Sequence, residues 1–576
     1  MEEGELTLLY KKKDRKDIKN YRPITLLNSD LKLLTAALSY RMSDAVATII
    51  TKFQTGFMKG RFIAGNTQTS QLLQAIQEED LSDFTAFIAL DQEKAFDRVS
   101  WQTLNETIES LGFGPYMCQW FKTLYNIDKP LRRRIRLGGD VSEWYHIRSG
   151  VPQGDGLSPI AYICIMEGLA RMIEEEERLP GIDVHGLIYK LSLYADDTLC
   201  FLAAKSLADL EIQLTALWDT LDAFCDATGA KINKTKTEGV AIGALRQHQL
   251  AGQSMPRANE IAWAAEGKYI VILGAPLGNN FNVHEYWDQR YKKFTARVAR
   301  WQHKLRYTVA EARIPLISSL CLSLFWYQAQ TLTPSKALGV QMKRDISYFV
   351  YKKEPKFNAN AADDDKKYRK WLQDEVATQK KIHGGLGLPD WDAQIGALQA
   401  MWVMRYLDPA ESPWKHLLDY YILPTAGPRG RQEVFSTLPL SNLLARLTPD
   451  DVPPASDAPD GTPPTTSLRA RKAASQPILT FWRAAMSQFR RLDWIELRDQ
   501  HPRAGPHVLA ESFFHSLTHP PPRGVLNVKY WTKTCGIHHL RDIINPETAD
   551  FYWWNSARAV TTPTLSTFCG ELLCMR

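Results

Sequence analysis

Two adjacent carboxylates set between two apolar runs constrain this chain more than any other feature. The stretch is Leu191-Ser-Leu-Tyr194-Ala195-Asp196-Asp197-Thr198-Leu-Cys200-Phe-Leu. The flanks predict two buried strands, 189–194 and 198–203, and the break between them is short enough for a tight hairpin turn. Ionised carboxylates side by side at a mostly buried turn repel each other and lose hydration, and a divalent cation relieves both costs. Hard cations such as Mg²⁺ take oxygen ligands and bring phosphate groups with them. The hairpin therefore reads as a metal platform. An exposed Asp-Asp turn is the plainer alternative, and the tetrapeptide alone does not choose between them.

Its companions do choose. A second acidic site lies upstream in Phe84-Thr-Ala-Phe87-Ile-Ala-Leu90-Asp91-Gln-Glu-Lys-Ala95-Phe96-Asp97-Arg98-Val99. An apolar strand ends at Asp91, and a helix is predicted from Trp101 to Leu111. A carboxylate at a strand's end, facing a cleft, suits metal binding. Asp97, inside the turn toward that helix, reads as structural. Between the acidic sites runs Ser149-Gly150-Val-Pro152-Gln153-Gly154-Asp-Gly156-Leu-Ser158-Pro159. This turn-rich loop precedes a predicted helix from Ile160 to about Arg178, and its glycines let backbone approach a ligand closely.

The constellation resembles the reverse transcriptase family, and within it the LINE-type non-LTR retrotransposons. Stretches similar to the family's run in the family's order. Tyr10-Lys-Lys-Lys13 and Asn20-Tyr-Arg22-Pro23-Ile24 come first, then Gln54-Thr-Gly56-Phe57-Met-Lys-Gly60-Arg61. The Asp91 stretch, the Pro-Gln-Gly loop and the Tyr-Ala-Asp-Asp hairpin follow. Lys231-Ile-Asn233-Lys-Thr-Lys236-Thr-Glu238 and Ile272-Leu273-Gly274-Ala275-Pro276-Leu277-Gly278 close the series. The resemblance covers about residues 5–330, with a weaker echo at Gly384-Gly385-Leu386-Gly387-Leu-Pro389-Asp390.

That resemblance implies an α+β fold, the right-hand polymerase of fingers, palm and thumb, with a mostly helical C-terminal extension. It implies RNA-directed DNA polymerisation, in which a primer 3′-hydroxyl attacks the α-phosphorus of a dNTP. Asp91, Asp196 and Asp197 would hold two Mg²⁺ ions about 4 Å apart, with Mn²⁺ as a substitute. Lys236 matches the lysine that protonates the pyrophosphate. Phe96 matches the steric gate against a ribose 2′-hydroxyl. Gln153, with Gly154, matches the loop beside the incoming nucleotide, and Tyr194 would lie near the primer end. The implied partners are an RNA template, a DNA primer and dNTPs. Two rivals remain. A group II intron-type enzyme with a splicing role is opposed by the Gly384–Asp390 stretch. A non-catalytic, nucleic-acid-binding remnant is opposed by the intact acidic triad and favoured by the missing upstream fingers. No endonuclease-like or ribonuclease-H-like pattern is evident. Family chains carry more fingers sequence upstream of Glu5, so incomplete fingers are expected, and the ending at Cys574-Met-Arg reads as a truncated copy.

Length and charge set the remaining bounds. A chain of 576 residues predicts two to four domains. A net charge of +6 is too mild to argue nucleic-acid binding by itself, so local patches must carry it. Lys11, Lys12, Lys13 and Arg22 form one such patch, suited to a triphosphate, with Arg22 the best match to the family. A solvated charge run is the alternative for the lysines. Eight cysteines without a disulfide framework suit a reducing, intracellular compartment, nucleus or cytoplasm. The N-terminus lacks an apolar signal core, and the longest apolar run, 314–327, is too short to span a bilayer, so no membrane partner is expected. Oligomeric state is not legible.

The segments are read as fingers 1–80, palm 81–278, thumb 279–335, a helical region 336–448, a Pro- and Ala-rich linker 449–475, and a C-terminal region 476–576. Within the palm, Ser206-Leu-Ala-Asp209 is a helix-start signal. Leu207, Leu210, Leu214, Leu217, Leu221 and Phe224 then mark one helical face, closed near Gly229. In the thumb, a helix over 286–306 places Arg290, Lys293, Arg297 and Lys304 on one face with aromatics interleaved, which suits gripping a duplex backbone. An ordinary amphipathic surface helix is the alternative there. Cys535, His538, His539, Cys569 and Cys574 could ligate zinc, although no CxxC pair is present.

Overall fold

In the computed structural model, residues 3–11, 14–79, 83–137, 139–248, 250, 255–304, 309–351, 372–408, 410–422 and 477–491 are described. They form two compact units. The first comprises 1–281 with 412–417, and the second comprises 282–411 with 418–576.

The first unit begins with β1 (Glu3–Tyr10), β2 (Tyr21–Leu26), α1 (Ser29–Ile49) and α2 (Ile63–Glu79). β3 (Phe84–Leu90) follows, then α3 (Ala95–Arg98), α4 (Trp101–Ser110) and α5 (Pro115–Leu124). β4 (Leu131–Leu137), β5 (Asp140–Val141) and β6 (Tyr145–Ile147) lead into α6 (Ser158–Glu175). β7 (Ile182–Val184), β8 (Leu187–Tyr189), β9 (Leu191–Tyr194) and β10 (Asp197–Ala204) precede α7 (Leu207–Thr228). β11 (Glu238–Gly243), α8 (Pro256–Asn259), β12 (Ala262–Trp263), β13 (Ile270–Ile272) and β14 (Ala275–Leu277) complete it.

A central five-stranded sheet runs β12-β11-β3-β10-β9. Its strands are apolar on both sides because both faces are covered. Ala86, Ile88 and Leu90 of β3 join a core with residues of α4, α6 and α7. On the other face, Thr85 donates to Gln77 of α2 at 2.8 Å, and Phe87 meets Phe201 edge to face. α7 starts and stops as its sequence predicts. The Ser206 hydroxyl caps it by accepting from the Asp209 N–H, and Gly229 closes it in a left-handed conformation. Leu210, Leu214, Leu217, Leu221 and Phe224 are all buried.

A second sheet runs β2-β1-β4-β5, with β6 also on β4. β1 pairs with β4 in parallel, Glu5 opposite Arg134, across almost 130 positions of chain. The layer expected to lie within 1–80 therefore draws three of its strands from 131–147. Glu5 bridges Arg134 and Arg136, and Arg132 and Arg134 lie over the Trp144 ring. This pairing is what makes an arginine-rich strand tolerable.

The second unit is helical. It contains α9 (Val283–Lys304), α10 (Ala310–Leu316), a π-helical stretch Ile317–Leu322, α11 (Ser323–Trp326), α12 (Lys336–Tyr351), α13 (Asp374–Ala377), α14 (Trp391–Leu407) and α16 (Pro477–Arg491). α15 (Pro413–Ile422) runs from the first unit into the second. Residues 279–335 do not stand apart, since Tyr291 of α9 donates to buried Asp345 of α12 at 2.6 Å. The Gly384–Asp390 stretch is a tight loop. Leu386 and Leu388 N–H both donate to the Ala377 carbonyl, and Asp390 caps α14. Lys12 and Lys13, the linker 449–475 and the cysteine–histidine group lie outside the described residues. No described helix is long and apolar enough to cross a membrane.

Candidate active site

The carboxylate pair sits at the turn of the β9–β10 hairpin. Tyr194 pairs with Asp197, leaving Ala195 and Asp196 as the two turn residues. Such turns need positive φ, and Ala195 has φ 53. Thr198 pairs with Leu90, so the register sets Asp197 beside Asp91 at the end of β3. Three carboxylates thus share one edge of the central sheet. Asp196 is half-buried, and Asp197 is exposed at the rim by surface area, although the protein crowds its carboxyl group enough to strip part of its hydration.

Their electrostatics are those of crowded negative charge. Burial, then the neighbouring Asp196 and Asp91, pushes Asp197 up to about 6. Asp196 is raised chiefly by burial, with the charge of Asp91 adding, while Lys11 and Arg22 pull it back down. Arg22 is therefore within electrostatic reach of the site, as is Lys11, which the sequence grouped with Lys12 and Lys13. Lys236 approaches from the turn before β11, its Nζ 2.9 Å from Asp91 Oδ2. That ion pair holds the Asp91 carboxylate, and among the described residues no three His, Cys, Asp or Glu side chains converge as a ready metal site. In donor chemistry and charge, however, the three carboxylates fit a hard divalent cation: they supply anionic oxygens only, and the raised proton affinity of Asp196 and Asp197 measures the need for positive charge.

The Pro-Gln-Gly loop is fastened on both sides. Val151 N–H donates to the Phe96 carbonyl at 2.8 Å, and Thr25 N–H of β2 donates to the Gln153 carbonyl at 2.8 Å. Gly154 has φ 114, and a β-carbon there would lie 2.9 Å from the Thr25 carbonyl oxygen, so no other residue fits without a shift. Gln153 reaches Asp97 Oδ1 at 3.4 Å. Burial pushes the Asp97 carboxyl up.

Phe96 lies half-buried, and its ring stacks on Tyr162 of α6, centroids 4.5 Å apart and planes 16° apart. The Tyr162 hydroxyl donates to Gln92 Oε1 at 2.7 Å. Tyr162 and Gln92 went unnoticed in the sequence, where both look like generic residues; only the four-residue advance from Ser158 into α6 could have suggested Tyr162. Tyr194 is stacked at 6.5 Å by Phe57.

The basic face of α9 is only partly available. The Arg290 guanidinium lies over the Tyr286 ring and donates to the Tyr286 hydroxyl at 2.9 Å. Arg297 donates to the Leu320 carbonyl at 2.6 Å, in the π-helical stretch. Lys293 is exposed. Lys304 closes the helix, and its side chain lies outside the described residues.

Residues 10–307 match the model of the family described as reverse transcriptase (RNA-dependent DNA polymerase). The chain belongs to the reverse transcriptase family. It has that family's α+β polymerase fold, with helical structure following it. A 149 kDa uncharacterized protein of transposon TX1 from Xenopus laevis is 28% identical over 412 residues, covering 71% of this chain and 29% of that protein. The probable RNA-directed DNA polymerase from transposon BS of Drosophila melanogaster is 26% identical over 227 residues, 38% of this chain and 23% of that one. The Pol polyprotein from the type-2 retrotransposable element R2DM of Drosophila melanogaster is 27% identical over 226 residues, 39% of this chain and 20% of that one. The chain thus spans less than a third of these relatives. Among solved structures, apo telomerase from Candida tropicalis, truncated from the C-terminal domain, aligns over 42% of this chain and 50% of that one. The TM-score is 0.29 at 13% identity, too slight a likeness to argue from.

Proposed function

We propose that this chain is the RNA-directed DNA polymerase of a non-LTR retrotransposon, extending a DNA primer on an RNA template with dNTPs. One observation carries the reading: a reverse transcriptase family chain keeps an Asp-Asp pair at a left-handed hairpin turn, in register beside a third carboxylate. Asp91, Asp196 and Asp197 would hold two Mg²⁺ ions. When bound, these supply the positive charge that activates the attacking oxygen and neutralises the departing pyrophosphate.

This chain's own residues do the rest. Lys236, paired with Asp91 through Oδ2, stands beside the reaction centre, where its ammonium would serve as the proton donor to the pyrophosphate. Arg22 and Lys11 lend positive charge on the same side, where a triphosphate would need it. Phe96, its ring stacked on Tyr162, would take the sugar-gating position, and Gln153 with Gly154 would form the loop beside the incoming nucleotide. Tyr194 stands at the primer end. The setting we infer is a reducing intracellular compartment, in keeping with free thiols at Cys118, Cys164, Cys200, Cys225 and Cys321. Primer extension on an RNA template with dNTPs and Mg²⁺ tests the proposal. Template-dependent extension that disappears in Asp196→Asn is the expected outcome. Binding of primer–template without extension would make the chain a non-catalytic remnant.

A further inference from the structure

The Gln54–Arg61 motif has no part in the reaction just described, yet it is wired into the catalytic hairpin. Ala195 carries a β-carbon in a left-handed conformation that L-residues adopt at a cost, so something must hold it there. Its N–H donates to Gln54 Oε1 at 3.0 Å, and the same oxygen accepts the Gly56 N–H at 2.8 Å. Gln54 is 1% exposed, so water does not compete for that oxygen.

The backbone around Gln54 is docked as firmly. Leu193 N–H donates to the Phe53 carbonyl and Thr55 N–H to the Leu193 carbonyl, both at 2.9 Å, so 53–55 extends the central sheet beyond β9. Asn66 of α2 adds bonds to the Leu193 carbonyl and the Ser192 hydroxyl, each at 2.8 Å. Arg61 Nη1 donates to the Thr51 and Gln54 carbonyls at 2.5 and 2.6 Å, tying the segment to the end of α1. Gly56 passes so close to the turn that a β-carbon on it would lie 2.4 Å from the Ala195 nitrogen.

We propose that Gln54 is a positioning residue for the carboxylate pair: its side-chain oxygen holds Ala195 in the left-handed turn and thereby aims Asp196 and Asp197. The inference rests on the reading of that pair as the reaction centre. A glutamine serving only as core filler would have no preference between losing its oxygen and losing its nitrogen. Here the two differ, because Nε2 makes no hydrogen bond while Oε1 makes two.

The test uses the full chain with Gln54→Met, Gln54→Glu, the double variant Gln54→Met/Ala195→Gly, and Asp196→Asn as reference. Four quantities are read: kcat and KM in primer extension, Mn²⁺ affinity without nucleic acid by electron paramagnetic resonance, hydrogen exchange at the Ala195 amide, and melting temperature. Gln54→Met should lower kcat on the order of a hundredfold, the penalty of about 1 Å of misplacement, with KM for primer–template within about twofold. It should also weaken Mn²⁺ binding and speed exchange at Ala195. Gln54→Glu keeps an oxygen in place and should retain amide protection and most of the rate. Ala195→Gly should restore much of what Gln54→Met loses, because glycine holds positive φ unaided. Parental kcat and unchanged Ala195 exchange in Gln54→Met would overturn the proposal. So would equal losses of rate, melting temperature and primer–template affinity in both Gln54 variants, which would mark a folding residue. If Asp196→Asn extends primers at the parental rate, the proposed function fails instead, and Ala195 exchange still reports on the brace.

Discussion

At the scale of single residues, the site is a set of opposed demands. Asp197 carries charge where its surroundings favour the proton, being pushed up to about 6 by burial and by its two carboxylate neighbours. Near neutral pH in the absence of divalent cations, Asp197→Asn should therefore raise melting stability, by about 1 kcal/mol or less once solvent screening at an exposed group is allowed for. The same change should cut extension on the order of a thousandfold, because it removes part of the charge that clamps the cations. Opposite signs for stability and rate are the signature of a functional charge. A melting scan with chelator, beside an extension assay, checks both, and a variant that is slower and also less stable would point to packing. Phe96 makes a second case. Phe96→Val should relax discrimination against ribonucleotides, and Tyr162→Leu should relax it partway by letting the ring tilt. Steady-state selectivity for rNTP over dNTP decides this, and an unchanged ratio in Phe96→Val would remove Phe96 from sugar selection.

At the scale of elements, legibility followed whether the signal was local. α7 was readable in full because its cap, its three- and four-residue apolar steps and its closing glycine all lie within the helix itself. The hairpin was readable because its turn has room for two residues. α2 was not. Every residue from Ala64 to Gln77 is buried, although the stretch is rich in glutamine and threonine. Its glutamines find partners far along the chain: Gln71 donates to the Pro276 carbonyl, and Gln74 to the Gly278 carbonyl. No local pattern announces such pairings. α9 shows the complementary gap. Spacing alone put Arg290 and Arg297 on a free basic face, but an aromatic hydroxyl one turn back and a carbonyl of the π-helical stretch engage them. Neutralising Arg290, Lys293, Arg297 and Lys304 together should therefore flatten the salt dependence of primer–template affinity by less than four phosphate contacts' worth, about two units of slope or fewer. Neutralising exposed Lys292, Lys293 and Arg300 should lower it at least as much. Titrations at several salt concentrations measure the slope, and a slope unchanged in both variants would leave α9 an ordinary surface helix.

At the scale of the whole molecule, chain order and spatial order part company, and this is where sequence reading had least to hold. The split into fingers 1–80 and palm 81–278 follows motif order, yet β1 and β2 share their sheet with strands from 131–147. Residues 412–417 lie far beyond the polymerase motifs and still belong to the first unit. There the Tyr189 hydroxyl donates to the Pro413 carbonyl at 2.8 Å, and His416 Nε2 lies 2.6 Å from the Val184 carbonyl oxygen. Trp414 is 5% exposed, with its indole 3.4 Å from where a side chain on Gly65 would begin. Loss of the indole should leave a cavity that neither α2 nor the 412–417 strap can close, at a cost of about 3–5 kcal/mol. The effect should be strongest in the first unit, where Gly65, Val184 and Tyr189 meet Trp414 and its neighbours. Trp414→Ala should accordingly raise hydrogen exchange across α2 and the β7–β8 hairpin, with α12 and α14 keeping their parental protection. Since α2 carries Asn66, which bonds the strand leading into the Asp-Asp turn, extension should slow as well. Parental exchange in α2 would show that the strap contributes nothing to the first unit, and loss of protection spread evenly over both units would show that it does more than brace α2.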